Sequence, residues 1–188
     1  DEDSATRALI ERFGAGFAAG ADADSSDTAH LDTEPLLVHP LWIYADPGMG
    51  PAMQRMPAPA RRWLSQAGER TEVFDFAAAQ EALAQARRIT QQALGEADAA
   101  NLMVLLQLGY LEQARQDWNA ALAHYRAGVA LAERSLGAQS PWLIALLWFE
   151  AGVLLNQGDV PAAQAVAERA SAAVTARGGA FDERIALL

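Results

Sequence analysis

The residues that come closest to a chemical motif are five acidic side chains in the N-terminal third of the chain. They are Asp22, Asp24, Asp27, Asp32 and Glu34. Carboxylates at such short intervals suggest a calcium-binding loop, which needs glycine at its sixth position and glutamate at its twelfth. Counted from Asp22, those positions hold Asp27 and Thr33. We therefore interpret the run as a solvated linker and predict no metal site.

Other catalytic chemistry finds little support in the residue types. The histidines His30, His39 and His124 lack the spacing of metal ligands. Gly48 and Gly50 are followed by proline, outside the strand-to-helix context in which glycines bind a dinucleotide. The chain has no cysteine and no lysine, which excludes thiolate nucleophiles and Schiff-base lysines. A carboxylate pair acting as acid and base stays open, but no motif recommends one. We thus predict a protein that is not an enzyme, with no catalytic residue and no cofactor.

The composition favours a single helical domain without a membrane span. Apolar residues make up 52% of the 188 residues, alanine dominates and β-branched residues are sparse, a mixture that favours helix over sheet. Charges or glycines interrupt the apolar stretches before they reach the roughly 18 residues of a membrane-spanning helix. The net charge of −10 opposes binding to nucleic-acid phosphate and anionic lipid. We expect a protein or peptide as the partner.

An internal period of 42 residues is the most informative feature of the sequence. Shifting the chain by this interval aligns five sets of similar residues, of which two are small, two are larger and apolar, and one is glycine. The sets are Ala79, Ala121 and Ala163; Phe76, Trp118 and Val160; Ala67, Gly109 and Ala151; Trp63, Leu105 and Leu147; and Gly95, Gly137 and Gly179. A fixed period of this length is typical of stacked helical repeats. A generic alanine-rich bundle would share the amphipathicity but not the period.

Each unit is predicted to contain two helices. In the central unit, helix A covers residues 101–116 with a turn at its end, and helix B covers residues 118–137. Gly137 is suited to end helix B in a left-handed conformation, and Pro141 precedes the next helix A without loss of a needed donor. We expect Gly109 to pack near Ala121, where the two helices approach. The buried face of helix B is predicted from spacings of three and four: Trp118, Ala121, Leu122, Tyr125 and Val129.

The pattern resembles the tetratricopeptide repeat family, whose signature runs W-x-x-L-G-x-x-Y and then A-x-x-x-F. The residues that carry the resemblance are Trp63 and Ala67 in the first unit; Leu105, Leu108, Gly109, Ala121 and Tyr125 in the second; and Leu147, Ala151, the turn at 156–160, Ala163 and Ala167 in the third. The period, and the stretch at 130–141 between units, are similar to those of kinesin light chains and their bacterial relatives. The departures from the pattern, which affect the fine packing, are Glu112, Glu150 and Ala167.

The resemblance covers about residues 60–188 and implies an all-α fold. That fold is a right-handed α-solenoid of about three helix-turn-helix repeats, at about 60–101, 102–143 and 144–185. We place the solenoid domain at 58–188. Residues 1–57 form the other part: an N-terminal helix, an acidic linker and a proline-rich apolar arm. Prolines favour an extended backbone in the arm, which lies either on its own solenoid or on a neighbouring copy.

The resemblance also implies a concave groove for a peptide, lined by the first helix of each repeat. The family's groove positions correspond here to Arg61, Leu64, Met103, Leu106, Tyr110, Gln113, Trp148, Leu155 and Asn156. Gln113 or Asn156 is expected to hydrogen-bond a peptide backbone, and Trp148 to anchor a side chain. A protein-binding scaffold is therefore the first functional hypothesis. Alternatively, these residues contact a neighbouring helix or the N-terminal arm.

Self-assembly is the second functional hypothesis. Residues 181–188 start a fourth helix A without a helix B, and an open solenoid end can stack on the next copy to give a homo-oligomer or a head-to-tail filament. The N-terminal arm would strap successive subunits together. The expected self-assembly residues are Leu36, Leu37, Leu41, Trp42, Tyr44, Phe181, Ile185 and Leu188.

The first residue of the sequence gives an indication of where the protein is located in the cell. The first residue is Asp1 instead of methionine, as in a mature chain after removal of a signal peptide or in a chain trimmed at its start. The absence of cysteine does not decide between an oxidising and a reducing compartment. We expect an exported protein, periplasmic or extracellular, over a cytoplasmic one.

Overall fold

The computed structural model describes residues 49–177, which form seven α-helices and contain no strand. Four expected features lie outside this range: the N-terminal helix, the acidic linker, residues 34–46 of the arm and residues 181–188. Among the described helices, none has both the length and the apolar character that crossing a bilayer requires. The helices are α1 (Gly50–Arg55), α2 (Ala58–Glu72), α3 (Phe76–Leu94), α4 (Asn101–Ala114), α5 (Trp118–Leu136), α6 (Pro141–Asn156) and α7 (Val160–Ala176).

Helices α2 to α7 form three consecutive pairs that stack as a solenoid. The most extensive contacts lie within the pairs α2–α3, α4–α5 and α6–α7, and α5 also packs closely on α6. The first helices of successive pairs contact one another, α2 with α4 and α4 with α6, more than the second helices do. The stack therefore curves with α2, α4 and α6 on its inner side. The predicted all-α solenoid of helix-turn-helix repeats is confirmed.

An aspartate begins the second helix of every pair. Asp75, Asp117 and Asp159, spaced by the 42-residue period, each accept a hydrogen bond from the backbone N–H three residues further on, at 3.3, 3.0 and 3.1 Å. Each thereby satisfies one of the N–H groups that a helix start leaves without a partner. This repeated cap was open to detection in the sequence, since the three aspartates are in register.

The residue before each aspartate has a left-handed backbone. Phe74, Gln116 and Gly158 have φ angles of 59°, 61° and 79°. The aspartate N–H then donates to a carbonyl in the last turn of the preceding helix, at 2.9, 2.9 and 3.0 Å in the three repeats. Only the third repeat has glycine here, although the conformation disfavours residues with a Cβ.

The connections between pairs follow the predicted pattern. Gly95 and Gly137 end α3 and α5 with φ angles of 83° and 85°, so the expected role of Gly137 is confirmed. Pro141 occupies the first turn of α6, and the Ser140 hydroxyl accepts a hydrogen bond from the Trp142 N–H at 3.2 Å. The observed α4 and α5 end within two residues of the predicted helices A and B.

The segment before α2 differs from the extended arm expected there. Residues Gly50–Arg55 form α1, which Pro51 can begin because its missing N–H would have no partner in the first turn. Met49 is only 1% exposed and joins the core, as do Ala52 and Met56.

Helix α1 is tied to both neighbouring repeats. The Arg55 guanidinium pairs with the carboxylate of Asp98, in the connection that leads into α4. Arg61 of α2 donates to the Met56 carbonyl at 2.6 Å. The chain is therefore fixed from Met49 onwards, beside the ends at which α2 and α4 begin.

Candidate protein-binding groove

The inner helices differ in how much charge they carry. Helix α2 has five charged residues and four buried ones, whereas α4 and α6 each have a single charged residue, Glu112 and Glu150. Most residues of α4 and α6 are buried, and neither helix has the polar stripe of an ordinary surface helix. The inner side of the solenoid is therefore apolar over its second and third repeats.

The structure brings the four predicted groove residues of the second repeat together on one face of α4. Met103, Leu106, Tyr110 and Gln113 follow one another at intervals of three and four residues, and all four are buried. In the third repeat, Trp148, Leu155 and Asn156 are half-buried. In the first repeat, Leu64 is buried, while Arg61 is exposed and bonded to α1.

Tyr110 is flanked in the groove by two glycines that were not among the predicted groove residues. One period before and one after Tyr110 stand Gly68 and Gly152. A Cβ at either glycine would meet nothing within 4 Å beyond its own stretch of helix. The register 68–110–152 thus places an aromatic side chain between two positions without a side chain. The 42-residue period was the signal that could have revealed this arrangement.

The two amides that were expected to bind a peptide differ in the structure. The Gln113 Oε1 accepts a hydrogen bond from the Tyr125 hydroxyl at 3.0 Å, so its carbonyl oxygen is engaged within its own repeat. The Asn156 Nδ2 is buried and has no acceptor within hydrogen-bond distance in the described part of the chain. Asn156, the last residue of α6, is therefore the amide whose donor is available.

The two tyrosines of the second repeat carry no charge at ordinary pH. Burial raises the pKa of Tyr110, and the nearby Glu72 carboxylate raises it further. Burial also raises the pKa of Tyr125 well above its usual value, with a smaller contribution from Tyr110. Both phenols therefore stay protonated, and such a surface suits an uncharged, apolar ligand.

His124 lies on α5. Of the three histidines for which we predicted no metal binding, it is the one within residues 49–177. Burial lowers the pKa of its imidazole, and Arg87 lowers it further, against the opposite influence of Glu112. Within residues 49–177, no group of three histidine, aspartate or glutamate side chains is placed to hold a metal ion.

A stack of helix pairs with its first helices on the inner side defines the chain as an α-solenoid protein. Residues 98–176 match the model of the tetratricopeptide repeat family, so this part of the chain is built of tetratricopeptide repeats. The match covers the second and third pairs. Repeats of this family generally mediate protein–protein interactions and are not catalytic. Comparison with curated proteins and with solved structures gives no match. The likeness of the period to that of kinesin light chains stays a prediction.

Proposed function

We propose that the chain is a non-catalytic scaffold that binds an extended apolar segment of another protein along its inner side. The observation that carries this proposal is the Asn156 amide, a buried donor without an acceptor among the described residues. Leaving such a group unsatisfied costs about 1–3 kcal/mol. A peptide carbonyl lying along the groove would satisfy it.

The surroundings of Asn156 indicate what the ligand would look like. Leu155 is its chain neighbour, and Trp148 lies two helical turns before Leu155 on the same face of α6. Apolar side chains of the ligand would pack on the exposed parts of Trp148 and Leu155, since Met103 and Leu106 are buried. The open positions at the flanking glycines would admit side chains on either side of the Tyr110 ring. Affinity would come from apolar burial, and the Asn156 amide would set the register of the ligand backbone.

The proposal is tested with peptides selected from a random displayed library on the immobilised full chain. For the tightest peptide, Asn156→Leu should weaken binding about tenfold, which corresponds to about 1.4 kcal/mol. The matched control is Asn119→Leu, the same chemical change on α5, where Asn119 is exposed and bonded to Gln157. Titration calorimetry measures both. Equal affinities for Asn156→Leu and wild type would contradict the proposal.

Self-assembly remains the alternative proposal. Its expected residues at 36–44 and 181–188 lie outside the described part of the chain. Light scattering over a hundredfold range of concentration tests it: a growing mass supports head-to-tail assembly, and a constant mass near 20.1 kDa contradicts it.

A further inference from the structure

We infer that residues 34–46 of the same chain occupy the inner side of the solenoid, so that a partner binds by displacing them. This inference rests on the proposed function, since it names the resident ligand of the same groove. It would make the groove self-inhibited.

The place where the described chain begins supports this inference. Met49 is buried in the core, and α1 is held by the Arg55–Asp98 ion pair and by the Arg61 bond to the Met56 carbonyl. The Asp98 carboxylate is itself held, since its Oδ1 accepts a hydrogen bond from the Ala100 N–H at 2.8 Å. The chain before Met49 therefore starts from a fixed point beside the first turns of α2 and α4.

The groove starts at the same end. The first helices of successive pairs run in the same direction because each pair turns back on itself. Helix α4 has 14 residues, a length of about 21 Å. The 13 residues from 34 to 46 reach about 43 Å when extended. The segment is therefore about twice as long as this inner helix and can reach from its first turn past its last.

The chemistry of the segment matches that of the groove floor. Between Glu34 and Asp46 no residue carries a permanent charge, and seven are large and apolar. Pro35 and Pro40 disfavour a helix and favour an extended backbone, whose carbonyls are free to accept a hydrogen bond. One of these carbonyls can satisfy the Asn156 amide. The apolar residues are Leu36, Leu37, Val38, Leu41, Trp42, Ile43 and Tyr44.

The short connection favours the same chain over a second copy. Only Pro47 and Gly48 separate Asp46 from the buried Met49. A segment tethered this closely has an effective concentration of the order of 1 mM. A separate partner must therefore compete with a ligand that is always present.

Photo-crosslinking in the full chain tests the location of the segment. With p-benzoylphenylalanine in place of Trp42, we expect crosslinks to residues 103–113 or 148–156 in a monomeric product. Their yield should not change over a hundredfold range of concentration. The same probe at Ala23, in the acidic linker, is the control. Crosslinked dimers would assign the segment to a second copy and overturn the inference, as would a pattern equal to that of the control.

A peptide titration tests the competition. A labelled peptide of residues 34–46 should bind the full-length variant Leu41→Ser/Trp42→Ser at least about tenfold more tightly than it binds the wild type. Adding Asn156→Leu to that variant should weaken the binding again. Equal affinity for variant and wild type would overturn the inference. If Asn156→Leu still weakens the binding of selected library peptides in that case, the proposed function stands, and only the assignment of residues 34–46 to the groove fails. If they do not, both proposals fail.

Discussion

The second and third repeats build the same helix crossing from different residues. In the second repeat, Gly109 of α4 leaves room for the ring of Tyr125 on α5, whose atoms lie 2.3–2.6 Å from where a Cβ would stand. In the third repeat, the equivalent positions hold Ala151 and Ala167, both buried. The same crossing can therefore be made either by a large side chain facing a glycine or by two small side chains facing each other.

The large residue of the second repeat also reaches the third. The Tyr125 ring stacks on Phe149 of α6, with centroids 5.3 Å apart and planes 24° from parallel. Its hydroxyl holds Gln113 on the groove side of α4. One side chain therefore connects the crossing, the next repeat and the groove, which the alanines of the third repeat cannot do.

The largest expected effect comes from filling the space beside Tyr125. Gly109→Ala should lower the free energy of unfolding by about 2–3 kcal/mol, because the new Cβ overlaps the ring. Gly109→Ala/Tyr125→Leu copies the pairing of Ala67 and Leu83 in the first repeat, and should recover part of the loss. Urea denaturation of both variants and of Tyr125→Leu, followed by circular dichroism, measures the coupling.

The matched control for this prediction is Gly152→Ala. A Cβ at Gly152 meets open space in the middle of α6, so the better helix propensity of alanine should raise stability by up to about 1 kcal/mol. Equal effects at positions 109 and 152 would show that the Tyr125 ring yields freely, against the packing argument.

A smaller effect is expected at the position where the third repeat has Glu150 and the second has Leu108. The Glu150 carboxylate is buried, with its side chain 6% exposed, and its Oε1 accepts from Arg126 Nε at 2.8 Å. Its Oε2 has no donor among the described residues. Arg126→Met should therefore lower stability by about 1–3 kcal/mol, because a buried charge is left alone. Glu150→Leu should be neutral or stabilising by about 1 kcal/mol, since Arg126 is 57% exposed and can be solvated.

Chemical denaturation of the two single variants and of Arg126→Met/Glu150→Leu checks this asymmetry. The double variant should be at least as stable as wild type. A loss in Glu150→Leu as large as that in Arg126→Met would instead show that the ion pair is a net stabilising link between repeats.

The smallest effect is expected at the left-handed turn residues, Gln116 in the second repeat and Gly158 in the third. Gln116→Gly should raise the free energy of unfolding by about 1 kcal/mol, and Gly158→Gln should lower it by about as much. The reason is that a residue with a Cβ is strained at these φ angles. Thermal unfolding compares the exchanged pair. Changes of the same sign in both variants would contradict the strain argument.

The sequence by itself determined the repeat architecture. The 42-residue period, the spacing of apolar residues and the glycine and proline at helix ends predicted α4, α5 and their boundaries to within two residues. These features depend on local chemistry, in which a helix start or stop is decided by a few neighbouring residues. The resemblance of these same residues to the tetratricopeptide pattern agrees with the family model that matches residues 98–176.

Only the tertiary structure decided which side chains meet. Gly109 lies against the ring of Tyr125, Gln113 is held by Tyr125, and Arg61 bonds to α1, a helix that was not expected in the proline-rich arm. Each of these contacts joins elements that are distant along the chain, and the rotation between stacked pairs sets their distance. A spacing rule shows which face of a helix a residue occupies, but the partner on that face depends on how the neighbouring helices cross.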